Sequence, residues 1–117
     1  MSDKITVYEK PTCTTCRNLA ELLRANGIAY DKVNYYIEPL SEDKLRALLK
    51  KANLAPFDVV RKKEPLYKEL NINDDTPPDG ILKLIVENPN LLQRPIVEVG
   101  DKAVLARPIE KALELIK

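Results

Sequence analysis

Histidine is absent from this chain of 117 residues. That absence removes Ser-His-Asp and Cys-His catalysis, histidine-bearing zinc sites and haem held by histidine. Only two cysteines occur, too few for a four-cysteine metal site within one chain. They stand at 13 and 16, where a bridge would close a very small loop and staple nothing distant. No apolar run approaches the roughly 18 residues of a membrane-spanning helix. No apolar stretch of the signal-peptide kind lies near Met1, so the expected address is the cytoplasm. An excess of charge is missing too: Lys+Arg 19 against Asp+Glu 18 leave a net charge of +1. That balance gives no support for wholesale binding to nucleic acid or a membrane surface. Chemistry is left to thiols, carboxylates, amines, guanidiniums and hydroxyls, with no metal and no bound cofactor expected.

What is present suits one α/β domain over residues 1–117, since domains run to about 100–200 residues and the hydrophobic share is 44%. Residues 4–8 alternate polar and β-branched apolar side chains, as a strand does. Leu19, Leu22 and Leu23 mark a helix over about 14–26, with Gly27 at its C-terminal turn. Residues 30–36 predict a second strand. Ser41 caps a second helix whose first turn carries Glu42 and Asp43 and whose apolar face is Leu45, Leu48 and Leu49. Residues 54–76 are irregular, broken by Pro56 and Pro65, with short helical turns between. Pro77-Pro78 opens a helix to about Glu87 with Ile81, Leu84 and Ile85 inward, and Pro89 stops it. Strands at 95–99 and 102–106 flank Gly100-Asp101, a two-residue turn with glycine first, as a type II′ hairpin wants. Pro108 then sits in the first turn of a last helix with Ile109, Ala112, Leu113 and Ile116 on one face. The order β-α-β, helical insertion, β-β-α is the thioredoxin/glutaredoxin arrangement. It predicts a mixed four-stranded sheet with flanking helices and a mostly helical insertion over about 41–88.

Cys13-Thr14-Thr15-Cys16 falls between the first strand and the first helix. A thiol at a helix N-terminus faces unpaired backbone N–H groups and the positive end of the dipole, which favour thiolate. Arg17 adds a fixed positive charge and is the expected thiolate-stabilising side chain. Cys13 is then the nucleophile and Cys16 the thiol that attacks a mixed intermediate. Read blandly, the pair is half a zinc site or two small buried hydrophobes, but no further ligand exists for the first and the second leaves the helix-start placement unexplained.

Six arginines stand against 13 lysines. Arg24 and Arg46 fall in regular helices, where a solvated face is the ordinary role. Arg17, Arg61, Arg94 and Arg107 fall at element boundaries. In a thioredoxin-like fold the loop entering the third strand lies beside the CxxC helix start and its proline, here Pro95, is usually cis. Arginines at such points suit a tetrahedral oxyanion through bidentate contacts.

These residues together resemble the arsenate reductase (ArsC)/Spx family over essentially the whole chain. The matching stretches are Ile5-Thr6-Val7-Tyr8, Pro11-Thr12-Cys13, Val60-Arg61-Lys62, Glu64-Pro65, Glu69-Leu70, Asn88-Pro89, Leu92, Arg94-Pro95-Ile96-Val97 and Arg107-Pro108. The resemblance implies a thiol-dependent oxidoreductase that converts arsenate to arsenite. It assigns the attack on arsenic to Cys13 and oxyanion binding to Arg61, Arg94 and Arg107. The next thiol is glutathione or, in this chain, Cys16, with glutaredoxin or thioredoxin as external reductant.

Two features depart from the reductases. They typically have a histidine where this chain has Glu9, and an acidic neighbour raises a thiol's pKa. They often lack a cysteine matching Cys16, whereas the CxxC pair is what the Spx branch has. The resemblance therefore carries a second expectation, a redox-sensing transcription regulator that binds RNA polymerase, with Asn53 near the glycine of the regulators' polymerase contact. Arg107-Pro108 follows the reductase pattern. A general glutaredoxin-like thiol oxidoreductase, with the arginines on a carboxylate, is the third.

Overall fold

Alternating β-branched residues carry the chain into β1 (Ile5–Glu9), and a turn through Pro11 leads to α1 (Thr14–Ala25). The computed structural model describes residues 4–116. The following elements are β2 (Asp31–Asn34), α2 (Glu42–Ala52), α3 (Pro65–Glu69), α4 (Pro78–Glu87), β3 (Ile96–Val99), β4 (Lys102–Leu105) and α5 (Lys111–Ile116). They form two compact units: one runs to Glu38 and resumes at Arg94, and the other is Pro39–Gln93. The inserted segment is thus somewhat longer than the 41–88 read from the sequence.

The first unit holds a four-stranded sheet in the order β2-β1-β3-β4. β1 pairs parallel with β2 and antiparallel with β3, and β3 pairs antiparallel with β4. This is the mixed sheet of the thioredoxin-like fold. Val7 and Val97 are cross-strand partners and share a core with Leu19 and Leu23 of α1, Ala106 just after β4 and Ala112 of α5. That face of the sheet is therefore covered by α1 and α5. Side chains alternate across a strand, so Thr6 and Tyr8 point the other way, where the buried Tyr8 hydroxyl donates to Glu98 Oε1 at 2.7 Å. Gly27 follows α1 with φ 67°, and Ile28 N–H returns to Leu23 O at 2.9 Å, a Schellman-type end. Gly100 has φ 60° at the first central position of the β3–β4 turn, the position where a type II′ turn demands it.

Two elements of this unit are shorter than the sequence predicts. β2 ends at Asn34, not Tyr36. The Asn34 side chain accepts from Tyr36 N–H at 3.0 Å and its carbonyl accepts from the amides of Ile37 and Glu38, so the chain turns there. α5 begins at Lys111 and leaves Pro108 in the preceding turn. The amides of Lys111 and Ala112 bond carbonyls three residues back, a tighter turn than an α-helix allows.

The second unit is helical. Ser41 Oγ accepts from Lys44 N–H at 3.0 Å and caps α2, which buries Leu45, Leu48 and Leu49. α4 packs against α2 and against the 3₁₀ turn Pro56–Val59. It buries Ile81, Leu82 and Ile85, while Leu84, expected inward, is only partly covered. The buried stripe is shifted around the helix from the predicted trio, because Leu82 and not Leu84 accompanies Ile81 and Ile85. An antiparallel bridge between Val60 and Leu92 ties the segment before α3 to the segment after α4. No helix among the described residues is long and apolar enough to cross a membrane.

Candidate active site

The turn after β1 delivers Cys13 to the N-cap of α1. Cys13 N–H bonds Lys10 O at 2.9 Å, and Arg17 N–H bonds Cys13 O at 3.0 Å as the first helical hydrogen bond. Cys13 is part-exposed and Cys16, one turn on, is buried; both are free thiols. The Cys13 side chain closes no short cap bond. Burial by itself pushes its pKa up, but the Cys16 amide, the Arg94 guanidinium and the Cys16 thiol favour the thiolate and bring it down to about 7. Burial drives Cys16 the other way, to about 12, against the pull of the Lys10 amide and helped by the Cys13 sulfur and the Glu9 carboxylate.

The cation that acts on Cys13 is Arg94, which is 5% exposed and immediately precedes β3. Arg17, to which the sequence assigns this role, points into solvent on α1. One residue after Cys16, its side chain leaves the face of the helix that carries the sulfur, whereas Arg94 comes from the loop entering β3 to the sulfur itself. The Arg94–Pro95 and Arg107–Pro108 peptide bonds are both cis. Arg107 Nε donates to Arg94 O at 2.7 Å, and Ala106 N–H donates to Pro95 O at 2.9 Å. These bonds tie the two arginine–proline pairs to each other. Arg94 Nη1 also reaches the Tyr36 hydroxyl at 3.5 Å.

Arg61 stands in the second unit. Its guanidinium donates to Asn90 O at 3.3 Å and lies 3.6 Å from Glu64 Oε2. Its own amide donates to Leu91 O at 2.7 Å beside the Val60–Leu92 bridge.

Three residues around the thiols carry no site signal in the sequence. Tyr35 is buried beside Arg94, Tyr36 carries the hydroxyl that Arg94 reaches, and Lys10 Nζ lies 5.0 Å from the Tyr36 ring centroid. By composition the paired tyrosines read as strand residues. The one available signal is that two adjacent aromatics cannot both face one side of a strand. Among the described residues no group of three or more potential metal ligands converges.

A lowered thiol at a helix start, a buried guanidinium on it and a second, neutral thiol one turn away are an arrangement suited to two-thiol redox chemistry. Comparison with known proteins gives consistent relatives. The ArsC family profile matches residues 8–115. An arsenate reductase of Neisseria meningitidis is 36% identical, with 92% of this chain and 93% of that protein covered. The global transcriptional regulator Spx of Listeria innocua is 32% identical over 80% of this chain and 72% of its own. The structure of an arsenate reductase from Vibrio cholerae superposes with a TM-score of 0.92 at 32% identity, covering 100% of both chains.

Proposed function

Because this chain belongs to the ArsC family, we propose that it is a thiol-dependent arsenate reductase with Cys13 as nucleophile. The observation that supports this most directly is the Arg94 guanidinium on a Cys13 thiol whose pKa lies at about 7. An arginine so placed serves the thiolate before substrate arrives and the oxyanion afterwards. Arg107, held on the Arg94 carbonyl, supplies a second guanidinium to the same anion. Arg61 enters the reading through the sequence resemblance.

Cys13 thiolate attacks arsenic and a water leaves. A second thiol then attacks the Cys13 sulfur; the sulfur–arsenic bond breaks with its electron pair going to arsenic, and arsenite departs. Two thiols are thereby oxidised to one disulfide. Cys16 is the nearer second thiol, giving a Cys13–Cys16 disulfide that glutaredoxin or thioredoxin reduces; glutathione is the other. NADPH consumption that depends on arsenate, coupled through glutathione with glutaredoxin and separately through thioredoxin, tests the proposal. Cys13→Ser is expected to abolish it, and retained turnover would remove Cys13 as nucleophile. Cys16→Ser with unchanged glutathione-coupled turnover would take the internal disulfide off the pathway.

The CxxC pair and the likeness to Spx support a second reading, a redox-sensing regulator. Asn53 has φ 58°, a left-handed conformation that glycine fills without strain. If the purified chain captures RNA polymerase through the carboxy-terminal domain of the polymerase's α chain, and turns over no arsenate, that reading is favoured.

A further inference from the structure

Glu9 ends β1, is 7% exposed, and has its Oε1 buried without a hydrogen-bond partner among the described residues. A carboxylate left so is costly unless it has something to do. The spacing along β1 and α1 indicates which side chain it faces. Val7 and Glu9 are two apart on β1 and share a face of the sheet. Leu23, Leu19 and Cys16 are spaced four and three apart on α1 and share its buried stripe. Val7 packs with Leu19 and Leu23. β1 runs into α1 through one tight turn, so the next layer toward that turn sets Glu9 against Cys16. The groups around this layer agree. Lys32, cross-strand partner of Val7 on β2, pulls the Glu9 carboxyl down, but burial outweighs it and the pKa is raised. Burial raises Tyr30 and Cys16, and Glu9 adds to both shifts. Asn34 lies opposite on β2, and on the β3 side the neighbour is the apolar Val97 beside Val7.

We infer that Glu9 is the proton acceptor for Cys16 when that thiol attacks an adduct on Cys13, and that it returns the proton when the pair is reduced. The inference rests on the proposed function only in taking Cys16 as the second thiol; it needs no arsenate. The Cys16 S–H bond breaks and its proton passes to a Glu9 carboxylate oxygen. The new thiolate forms a bond to the Cys13 sulfur. The bond from Cys13 to its adduct breaks, and the leaving group departs with the electron pair, as a thiolate where the adduct came from an incoming disulfide. That disulfide is reduced and the two cysteines are oxidised. Burial serves the transfer, since a carboxyl raised toward neutral pH is a stronger base than a solvated one. This also gives the position a use in a chain without histidine.

A chromogenic aromatic disulfide makes the step visible, because Cys13 attack releases one coloured thiolate and Cys16 closure releases a second. Two roles for Glu9 predict opposite results. A fixed negative neighbour only holds Cys16 protonated, so its removal speeds the second release. A proton acceptor speeds that release, so its removal slows it. For Glu9→Gln the ratio of second to first release at about pH 7 is expected to fall about 100-fold and to lose its acid limb in a pH profile. Glu9→Asp should recover part of it. Cys16→Ser should show the first release alone. A ratio unchanged or raised in Glu9→Gln, with a native circular dichroism spectrum, overturns the inference. Absence of a second release from the unaltered protein overturns instead the assignment of Cys16 as second thiol.

Discussion

One helical turn separates two thiols that are pushed to about 7 and about 12. At about pH 7 the first is near half-ionised and the second is a neutral thiol, so the fold itself makes the two thiols unequal. Iodoacetamide should alkylate Cys13 with a pH midpoint near 7 and leave Cys16 unmodified in the folded protein. Arg94→Ala should move that midpoint up toward the free-thiol value of about 8.5; an unmoved midpoint would take Arg94 off the sulfur. The CxxC pair at a helix start, and Arg94 and Arg107 at element boundaries before prolines, were legible from residue types and spacing. The identity of the cation on the sulfur was not, because sequence adjacency favours Arg17 while the buried contact comes from Arg94, 81 positions from Cys13 along the chain. Glu9 read only as a departure from a family pattern, since nothing in a sequence shows that a carboxylate is buried.

At the scale of elements, stripes and caps were readable because they are local. The Leu19–Leu23 face, the Ser41 cap and the hairpin glycine follow from periodicity and turn chemistry. Leu19 is 0% exposed in the core under the sheet. Leu19→Ala is expected to cost about 2–5 kcal/mol, lost transfer energy plus a cavity, measured as a lowered urea midpoint. The ends of β2 and α5 were missed for one reason. Each is set by hydrogen bonds of Asn34 or of the 108–112 turn that compete with the ladder or helix, and propensity does not weigh that competition. Asn53 is a similar case: it closes α2 at φ 58° while Leu54 N–H bonds Leu49 O at 2.9 Å. Asn53→Gly should be tolerated, whereas Asn53→Ala should destabilise by about 1 kcal/mol, read from the same urea titration.

For the whole molecule, three buried or part-buried acids give stability a definite shape against pH. All three, Glu9, Cys13 and Cys16, lie in the unit that runs to Glu38 and resumes at Arg94. Glu9 is raised in the fold, so the unfolded chain ionises first and stability falls as pH climbs above about 4.3. Cys13 is lowered to about 7. Its contribution is complete above the unfolded value of about 8.5 and is lost as pH falls through the folded value, so stability of the reduced protein rises over that window. Cys16, at about 12, works in the opposite sense: the unfolded thiol ionises near 8.5 while the folded one does not, so stability falls again in alkali. The reduced chain should therefore show a local maximum near the free-thiol pKa. Urea unfolding of the reduced protein at stepped pH checks this. Cys13→Ser should erase the rise, Cys16→Ser the alkaline fall that the thiol causes, and Glu9→Gln the acid-side loss, leaving it more stable than the parent at neutral pH. Closing the Cys13–Cys16 disulfide removes both thiols from the titration and should flatten the maximum altogether. Should Pro39–Gln93 unfold in a step of its own, that step should stay fixed while the other moves with pH; a maximum that survives oxidation would show that its origin is not the two thiols.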